Sequence, residues 1–379
     1  MKVLLVGASV RAASASLGCV GWRSVAFDLY GDLDLAETSE STQLLPQDYP
    51  GKIWERVRHL APTPWIYTGA IENHPDVVEA ISSRFRLLGN GPEVLRRVRD
   101  SAEVARVVRD EGFLAPEVRT YPLSLPTDGS WLVKPVASGG GEGIEPWVGG
   151  DSSRAGPVYY QKRISGLALS AIFVRDRAAT RLVGVTRQYL GRPGNRFAYR
   201  GSLAPWPLLD STRLQVEGLG RTVGDAFGML GLFGIDLILE RDQVWLIEVN
   251  PRYTASVEVL EFALGRSIMA EHLRVFEMPT RSEVERLPPT VRFAAKAILF
   301  ARSEGVLVDP IPIEPGEEGI PSVADVPRPG THFEVGQPVM TVFGRGKTTQ
   351  ACRADLAAQI RSWKRRIKVA RLDRVRPGC

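Results

Sequence analysis

The sequence has little cysteine and no long apolar run. Only three cysteines, Cys19, Cys352 and Cys379, occur in 379 residues, and they lie far apart. Their odd number and wide spacing indicate neither a disulfide framework nor a zinc site, so a reducing cytoplasm is the expected location. No apolar stretch approaches bilayer length, and the apolar run at residues 1–7 is too short for a signal peptide and lacks a cleavage site. We therefore expect no membrane span.

Two glycine fingerprints of nucleotide-binding proteins are also missing. The turn at residues 7–14 carries a single glycine, which argues against a nicotinamide site. The glycine-rich stretch at residues 139–143 is not followed by the Gly-Lys-Ser/Thr of a P-loop. A Rossmann dehydrogenase and a P-loop NTPase are therefore both disfavoured.

The positive net charge is confined to one segment. The chain carries a net charge of +5, yet from Arg353 onward nine Lys or Arg stand against two acids. The net positive charge thus comes from residues 353–379, and it does not by itself predict a nucleic-acid partner. The 44% hydrophobic and 24% charged content is ordinary for a globular protein, and the length allows two or three subdomains.

The most informative stretch is residues 233–252, which predicts a β-hairpin. Ile235, Leu237 and Leu239 alternate with the side chains between them, and a second β-run at residues 244–249 follows a charged turn at residues 241–243. Asp236 and Glu248 lie on opposite runs, so antiparallel pairing brings them together, and Asn250 falls on the same face as Glu248. Converging carboxylate and amide oxygens suit Mg²⁺, and Arg252 adds donors suited to phosphate or carboxylate. The alternative is an ordinary hairpin with a solvated polar face.

A second motif joins a lysine to a glycine-rich loop. Lys134 ends a short β-run at residues 131–135, and residues 137–144 follow with four glycines in six positions. The N–H groups of such a loop wrap phosphate oxygens, and Lys134 adds a positive charge beside them. A disordered linker is the alternative, although a linker between two β-runs is unusual.

The N-terminal residues predict β-α-β units. Strands are expected at residues 2–6, 22–28 and 65–67, and a helix at 75–82, which implies a parallel sheet. Ligands in such sheets lie beyond the strand C-termini, which nominates Ser9, Arg11, Asp28 and residues 68–69. Arg11 is expected either to hold a substrate carboxylate or phosphate or to be a solvated arginine.

The remaining segments give weaker predictions. One helix is expected around residues 95–108, strands at 158–164, 167–174, 181–189 and 290–301, a loop at 195–205, a helix at 211–231 and another from about 256. Arg187, in the strand, and Arg200, in the loop, are low-ranked substrate candidates. Glu258 is either a substrate residue or an acid in a first helical turn. A boundary is expected at Pro288-Pro289, and residues 354–370 predict an amphipathic helix that either docks on the protein or binds a membrane or nucleic acid.

Glu248-Val-Asn-Pro-Arg252, with an acid twelve residues earlier, resembles the metal-binding end of ATP-grasp ligases. This superfamily includes biotin carboxylase and the D-alanine ligases. The order of the Lys134 loop, residues 161–164 and the hairpin is similar to theirs, over residues 1 to about 278. Residues 6–14, 27–34 and 324–343 look like a subgroup described as ATP-dependent carboligases related to biotin carboxylase. Some of its relatives make one-carbon coenzymes of the methanopterin and methanofuran type.

The resemblance implies an α/β (α+β) ATP-grasp fold. The expected parts are an N-terminal parallel α/β domain at residues 1–85, a two-lobed ATP-grasp domain at 86–280 with its glycine-rich lobe at about 131–190, and a C-terminal β-rich module with a basic helix at 281–379.

The resemblance also implies ATP and Mg²⁺ as cofactors, with Mn²⁺ as a substitute. Asp236, Glu248 and Asn250 would hold the metal, and Arg252 and Lys134 would be catalytic. The family usually places a phosphate lysine where this chain has Ser101, and Arg99 is expected to supply that charge. The residues implied for ATP are Lys134, Ser138, Gly139, Gly140, Gly141, Gly143, Gln161, Lys162, Ile164 and Arg99.

Three functions remain open. The first is a ligase that joins a carboxylate to an amine through an acyl phosphate, with small-molecule substrates and a homodimeric assembly. The second is a carboxylase that activates bicarbonate, although the chain has no biotin-carrier signature. The third is a nucleotide-binding regulatory protein without turnover, which Ser101 alone supports.

Overall fold

The computed structural model of the chain describes residues 1–44, 46–150, 156–281, 292–313, 316, 319–367 and 369–370. At positions 41–43, 46, 369 and 370 it describes the backbone only. The boundary predicted at residues 288–289 and the basic tail beyond residue 370 lie outside the described residues.

The N-terminal part is built around four parallel strands. Its elements are β1 (Lys2–Val6), α1 (Arg11–Cys19), β2 (Arg23–Asp28), β3 (Ser39–Gln43), α2 (Ile53–Val57), β4 (Trp65–Tyr67) and α3 (Pro75–Ser82), with 3₁₀ turns at Asp34–Glu37, Pro46–Asp48 and Ile71–Asn73. The strand order is β3-β2-β1-β4, and each neighbouring pair is parallel. Strand β1 is a continuous apolar run, buried from Val3 to Val6, as expected of a central parallel strand. The predicted parallel sheet is confirmed.

Two helices, not the one predicted, connect this sheet to the rest of the chain. They are α4 (Pro92–Val98) and α5 (Ser101–Asp110). The break comes at Asp100, whose carboxylate accepts hydrogen bonds from the backbone N–H groups of Ala102 and Glu103 and so caps α5. The prediction of a single helix was wrong because the apolar spacing continues across this cap. The break leaves Arg99 between the two helices.

A small antiparallel sheet carries Lys134 and the glycine-rich loop. Its strands are β5 (Val118–Arg119), β6 (Trp131–Pro135), β7 (Glu145–Pro146) and β8 (Val158–Lys162), in the order β5-β8-β6-β7. The loop connects β6 to β7, so its two ends are held by paired strands. Trp131, Trp147 and Tyr160 form the small core of this lobe.

The remaining elements centre on one large sheet. They are β9 (Leu167–Arg175), β10 (Thr180–Arg192), β11 (Asn195–Ala204), α6 (Asp210–Ala226), β12 (Gly231–Glu240), β13 (Gln243–Asn250), α7 (Ala255–Leu264), α8 (Ile268–Val275), β14 (Phe293–Phe300), β15 (Gly305–Leu307), β16 (Val323–Ala324), β17 (His332–Phe333), β18 (Pro338–Gly346), α9 (Thr349–Arg366) and β19 (Val369–Ala370). Eight strands pair in the order β13-β12-β9-β10-β11-β14-β18-β16, and β17-β15-β19 form a separate three-stranded sheet. Strands β14, β18 and β16 thus extend the same sheet that contains the hairpin.

Two features fix how helices cover this sheet. Gly220 of α6 lies against Phe173, so close that a Cβ there would be 2.1 Å from the ring. Phe173 in turn stacks on Phe233 with ring centroids 5.2 Å apart. At the other end, α9 buries Leu356 and Trp363 against β18 and β14, which agrees with the docking interpretation of this helix.

Two predictions in this part of the chain were wrong. Residues 195–204 form β11 and not a loop, because they pair with β10 on one side and with β14 on the other. Pairing with a strand about a hundred residues away does not show in the local composition. The last helix ends at Arg366, and β19 pairs with β15, so the helix does not run to residue 370.

None of the helices within the described residues is long and apolar enough to cross a membrane.

Candidate active site

The hairpin places its two acids side by side. Asp236 on β12 is the direct cross-strand partner of Glu248 on β13, and the register shifts just after this pair. Asn250 Nδ2 donates to Asp236 Oδ2 at 3.1 Å, and Gln188 Nε2 of β10 donates to Asp236 Oδ1 at 3.0 Å. Bulges of this kind are common beside active sites because they redirect side chains. The three oxygen-bearing side chains therefore meet, as the alternation of the two strands predicted.

This donor set fits a divalent ion that also takes ligands from a nucleotide. In the described part of the chain, no group of three or more His, Cys, Asp or Glu side chains is arranged to hold a metal ion. Two carboxylates and one amide oxygen leave positions for phosphate and water, which is how Mg²⁺ is usually held. The residues thus suit Mg²⁺ with a phosphate ligand better than a metal caged by protein alone.

The two acids differ in their electrostatics. Burial, together with the negative charge of Glu248, raises the pKa of Asp236 to about 6. Burial would also raise the pKa of Glu248, but the positive charges of Arg99 and Lys134 lower it below the ordinary value. Glu248 is therefore a carboxylate at neutral pH, held in a basic setting.

Arg252 is fixed by a carboxylate from the N-terminal part. Its Nε and Nη2 donate to Glu72 Oε1 at 2.8 and 2.5 Å, and Nη2 also lies 3.3 Å from Asn250 Oδ1. Glu72 is 1% exposed and lies in the 3₁₀ turn after β4. The buried pair holds the guanidinium next to Asn250, and Glu72 balances the positive charge of Arg252.

Lys134 points into the same space from the small sheet. It is 5% exposed, and its Nζ donates to Gln161 Oε1 at 3.2 Å. Gln161 Nε2 donates in turn to the Ile247 carbonyl at 3.3 Å, which ties β8 to β13. Burial opposes the charge, yet Tyr159 and Glu248 raise the pKa of Lys134 above its ordinary value. Lys134 therefore brings a permanent positive charge to the site.

The glycine-rich loop closes over the cavity and rests on the β10–β11 hairpin. Gly139, Gly140 and Gly141 line the cavity. The Tyr199 N–H donates to the Gly140 carbonyl at 2.8 Å, and Asn195 Nδ2 donates to the Gly141 carbonyl at 3.0 Å. Gly141 has φ +80°, and a Cβ there would lie 2.1 Å from the Phe197 carbonyl oxygen. Only glycine allows this approach.

Arg99 reaches Glu248 from between α4 and α5. Its Nη1 lies 2.5 Å from Glu248 Oε1, and its Nη2 donates to the carbonyls of Val136 and Ser138 at 3.2 and 3.3 Å. The positive charge expected from Arg99 is thus present beside the start of the glycine loop. Ser101, two residues further along, lines a small neighbouring cavity together with Arg99 and Glu248.

One cavity of about 1010 Å³ is lined by Lys134, Asp236, Glu248, Asn250 and Arg252. Its wall also contains residues 161–164 and apolar side chains from the two sheets. A group of polar residues completes the lining: Ser9, Arg11, Tyr30, Lys296, Asp325 and Thr341. A single space therefore connects the hairpin acids with the strand ends of the N-terminal sheet.

A buried ionic network links three of the cavity-lining residues, Arg11, Lys296 and Asp325, to Glu258 and Thr341. Arg11 donates to Glu258, and its Nε donates to Asp325 Oδ1 at 2.8 Å. Lys296 Nζ bonds Glu258 Oε2 at 2.9 Å, and Thr341 Oγ1 donates to Asp325 Oδ2 at 2.5 Å. The positive charges of Arg11 and Lys296, with the hydrogen bond from Arg11, lower the pKa of Glu258 despite its burial. Glu258 thus acts as a buried counter-ion of two cations.

Several residues that the sequence nominated are not among those that line the cavity. Asp28 is fully buried, accepts a hydrogen bond from the Gly31 N–H at 2.8 Å, and has its pKa raised by burial to about 6. Arg187 stacks on Tyr189 and Trp206, with its guanidinium carbon 5.7 and 5.3 Å from the two rings. The nominated residues that are not among the described cavity-lining residues are Asp28, Arg99, Ser138, Gly143, Arg187, Arg200 and Glu258.

Sequence reasoning missed four residues of the site: Glu72, Gln188, Lys296 and Asp325. Lys296 is a lone lysine in the apolar strand β14, the same signal that singled out Lys134. Glu72 follows β4 by a few residues, close to the nominated residues 68–69. Gln188 and Asp325 have no comparable local signal. The pairing of β10 in the large sheet brings Gln188 to the site, and the strands late in the chain bring Asp325.

Comparisons with known proteins agree with this geometry. Residues 98–256 match a family model described as an ATP-grasp domain. An uncharacterized protein of Methanocaldococcus jannaschii is 21% identical over 68% of this chain and 64% of its own length, just under two thirds. A formate-dependent phosphoribosylglycinamide formyltransferase of Synechococcus is 25% identical over 80% of this chain and 82% of its own.

A solved structure has the same fold over nearly the whole chain. It is the biotin carboxylase domain dimer of Hydrogenobacter thermophilus 2-oxoglutarate carboxylase, in complex with MgADP, ADP and bicarbonate. It aligns with a TM-score of 0.72 at 13% identity, over 97% of this chain and 90% of that one. The matched family segment contains Lys134, the glycine loop and the hairpin acids, so the resemblance drawn from the sequence is confirmed. Residues 98–256 therefore form an ATP-grasp domain.

Proposed function

We propose that this chain is an ATP-dependent carboxylate–amine ligase that works through an acyl phosphate. The observation that carries the proposal is one cavity lined by the hairpin acids, Lys134, Arg252 and the glycine loop, and also by the charged residues Arg11, Lys296 and Asp325. ATP would lie under the glycine loop, with its phosphates at Lys134 and the hairpin acids. A substrate carboxylate beside the charged residues would then face its γ-phosphate.

The proposed reaction needs no protein nucleophile. A carboxylate oxygen attacks the γ-phosphorus and ADP leaves; the amine nitrogen then attacks the acyl carbon, phosphate leaves and the amine loses a proton. Asp236, Glu248 and Asn250 would hold Mg²⁺, which neutralises phosphate charge when bound. Lys134 and Arg252 would position the phosphates, and the loop at residues 139–143 would exclude water from the acyl phosphate.

Replacing Glu248 tests the metal assignment. We expect Glu248→Gln to keep the fold and to lower Mg²⁺-dependent ATP turnover by at least about a hundredfold, because one charged metal ligand is lost. Glu240→Gln, at the tip of the same hairpin, is the matched control and should leave turnover unchanged. Wild-type turnover in Glu248→Gln would rule out its role as a ligand.

The reaction itself is tested by ADP and phosphate release with Mg·ATP. The panel would contain glutamate, tyramine, pterin precursors and bicarbonate. Release that requires one acid and one amine would support the ligase. Release with bicarbonate alone would favour the carboxylase alternative, which the likeness to a carboxylase domain solved with bicarbonate keeps in view. ATP binding without release across the panel would favour the regulatory alternative.

The proposal also covers the two substrates, the oligomeric state and the location of the protein. We propose an amino acid and a one-carbon coenzyme precursor of the methanopterin or methanofuran type as the pair to be joined, on the strength of the subgroup resemblance in residues 6–14, 27–34 and 324–343. We also propose a homodimer in the cytoplasm, since a structural neighbour is a dimer.

A further inference from the structure

Arg99 contacts a metal ligand and the glycine loop with one guanidinium group. Its Nη1 pairs with Glu248 Oε1, while its Nη2 donates to the carbonyls of Val136 and Ser138, where the loop begins. The side chains of Arg99 and Glu248 are only 14% and 30% exposed. The pair is therefore shielded from solvent and stronger than a surface salt bridge.

The Glu248 carboxylate cannot bind a divalent ion and keep its full contact with Arg99 at the same time. A divalent ion on Glu248 would stand beside the guanidinium, and like charges at such a site repel strongly. The protein itself offers the ion only two carboxylates and an amide, since the described residues hold no larger acidic cluster there. A nucleotide changes the balance because its phosphates give both the ion and Arg99 new anionic partners.

Arg99 has a donor available for such a partner. Its Nε is buried and has no hydrogen-bond partner among the described residues. Moving the guanidinium toward phosphate would also release the Val136 and Ser138 carbonyls. The Ser138 carbonyl would keep one hydrogen bond, from Asn73 Nδ2 at 3.2 Å.

We propose that Arg99 is a displaceable cation that neutralises Glu248 in the nucleotide-free protein and moves to the nucleotide phosphates when a divalent ion takes that carboxylate. This inference rests on the proposed ATP and metal assignments. Divalent-ion binding would then depend on bound nucleotide. It would also affect the glycine loop, because Arg99 leaves the carbonyls at which the loop begins. Arg99 is thus a positioning residue whose removal has opposite effects on the two ligands.

The test measures each ligand separately. Mn²⁺ binding to the nucleotide-free full chain is followed by electron paramagnetic resonance, and binding of metal-free ATP by calorimetry. We expect Arg99→Gln to bind Mn²⁺ at least about tenfold more tightly than wild type and ATP about tenfold more weakly, because one positive charge is lost. Arg97→Gln is the matched control: Arg97 pairs with Glu103 on the other side of the α4 end and should leave both affinities unchanged.

A second variant separates charge from shape. Arg99→Lys keeps the positive charge beside Glu248, so its Mn²⁺ affinity should stay near the wild-type value even though the fork to the two carbonyls is lost. Unchanged or weaker Mn²⁺ binding by Arg99→Gln would overturn the inference, as would a tighter Mn²⁺ site in Arg99→Lys. If Arg99→Gln fails to fold, Arg99→Met replaces it with the same expected Mn²⁺ and ATP affinities, because it also removes the positive charge. Mg²⁺-dependent turnover by the wild type would stand in any of these cases, so the inference and the proposed ligase can fail separately.

Discussion

At the scale of single residues, Glu72 holds the cavity arginine in place. Arg252 and Glu72 are both buried, and the two shortest contacts of the Arg252 guanidinium go to Glu72 Oε1. We expect Glu72→Gln to lower kcat by about tenfold to a hundredfold, as the loss of an orienting partner usually does. Steady-state kinetics with ATP as the varied substrate measures the effect.

The control for Glu72→Gln is an acid with the same chemistry at the surface. Glu79→Gln removes a carboxylate that pairs with Arg96 while 65% exposed, and it should leave kcat unchanged. Glu72→Asp keeps the charge but shortens the reach and should recover part of the lost kcat. If Glu72→Gln has wild-type kcat, Arg252 does not depend on this partner.

What could be predicted at this scale depended on local signals. Asp236, Glu248 and Asn250 were predictable because a period-2 pattern places them on one face and a short turn sets their register. Glu72 and Lys296 were missed although each carries a signal already used elsewhere. Asp325 could not be predicted as a site residue, because its partner Arg11 lies more than three hundred positions away in the sequence.

At the scale of elements, the glycine loop is held by backbone contacts that a side chain would break. Gly141 has φ +80° and lies against the Phe197 carbonyl, whereas a Cβ on Gly139 would meet nothing within 4 Å. We expect Gly141→Ala to raise the KM for ATP by about tenfold or more, because the loop would lose its close backbone contact with the β10–β11 hairpin. Gly51→Ala, at a glycine that does not line the cavity and where a Cβ would likewise meet nothing within 4 Å, should leave the KM for ATP near wild type. Equal KM values in the two variants would show that the contact between Gly141 and the β10–β11 hairpin does not contribute to ATP binding.

Elements were predictable where the local pattern and the tertiary pairing agree. Strands β1, β4 and β6 and helix α3 have the predicted limits because apolar runs and flanking turns define them. Strand β11 was taken for a loop since its partner β14 lies far along the chain. The break between α4 and α5 was missed, although Asp100 is a good capping residue, because the apolar spacing on either side continues.

At the scale of the whole molecule, buried polar side chains join parts that are distant in sequence. His272 on α8 accepts a hydrogen bond from the Leu232 N–H at 2.9 Å, and its Nε2 lies 3.2 Å from the Leu88 carbonyl. It thereby connects the large sheet with the segment that follows the N-terminal sheet. Burial lowers the pKa of His272 to about 4, so the ring is neutral in the folded protein at pH 7.

This lowered pKa gives a stability that depends on pH. Below about pH 6.5 the unfolded chain binds a proton at His272, whereas the folded protein does so only near pH 4. The contribution is therefore fully present above pH 6.5 and is lost as the pH falls toward 4, by about 2 kcal/mol between pH 7 and pH 5. Urea unfolding of wild type and of His272→Asn at the two pH values measures it. The variant should be less stable at pH 7 but lose less stability on acidification, whereas the surface control His59→Asn should keep the wild-type loss. If His272→Asn keeps the full loss, other buried groups cause the acid sensitivity and His272 does not.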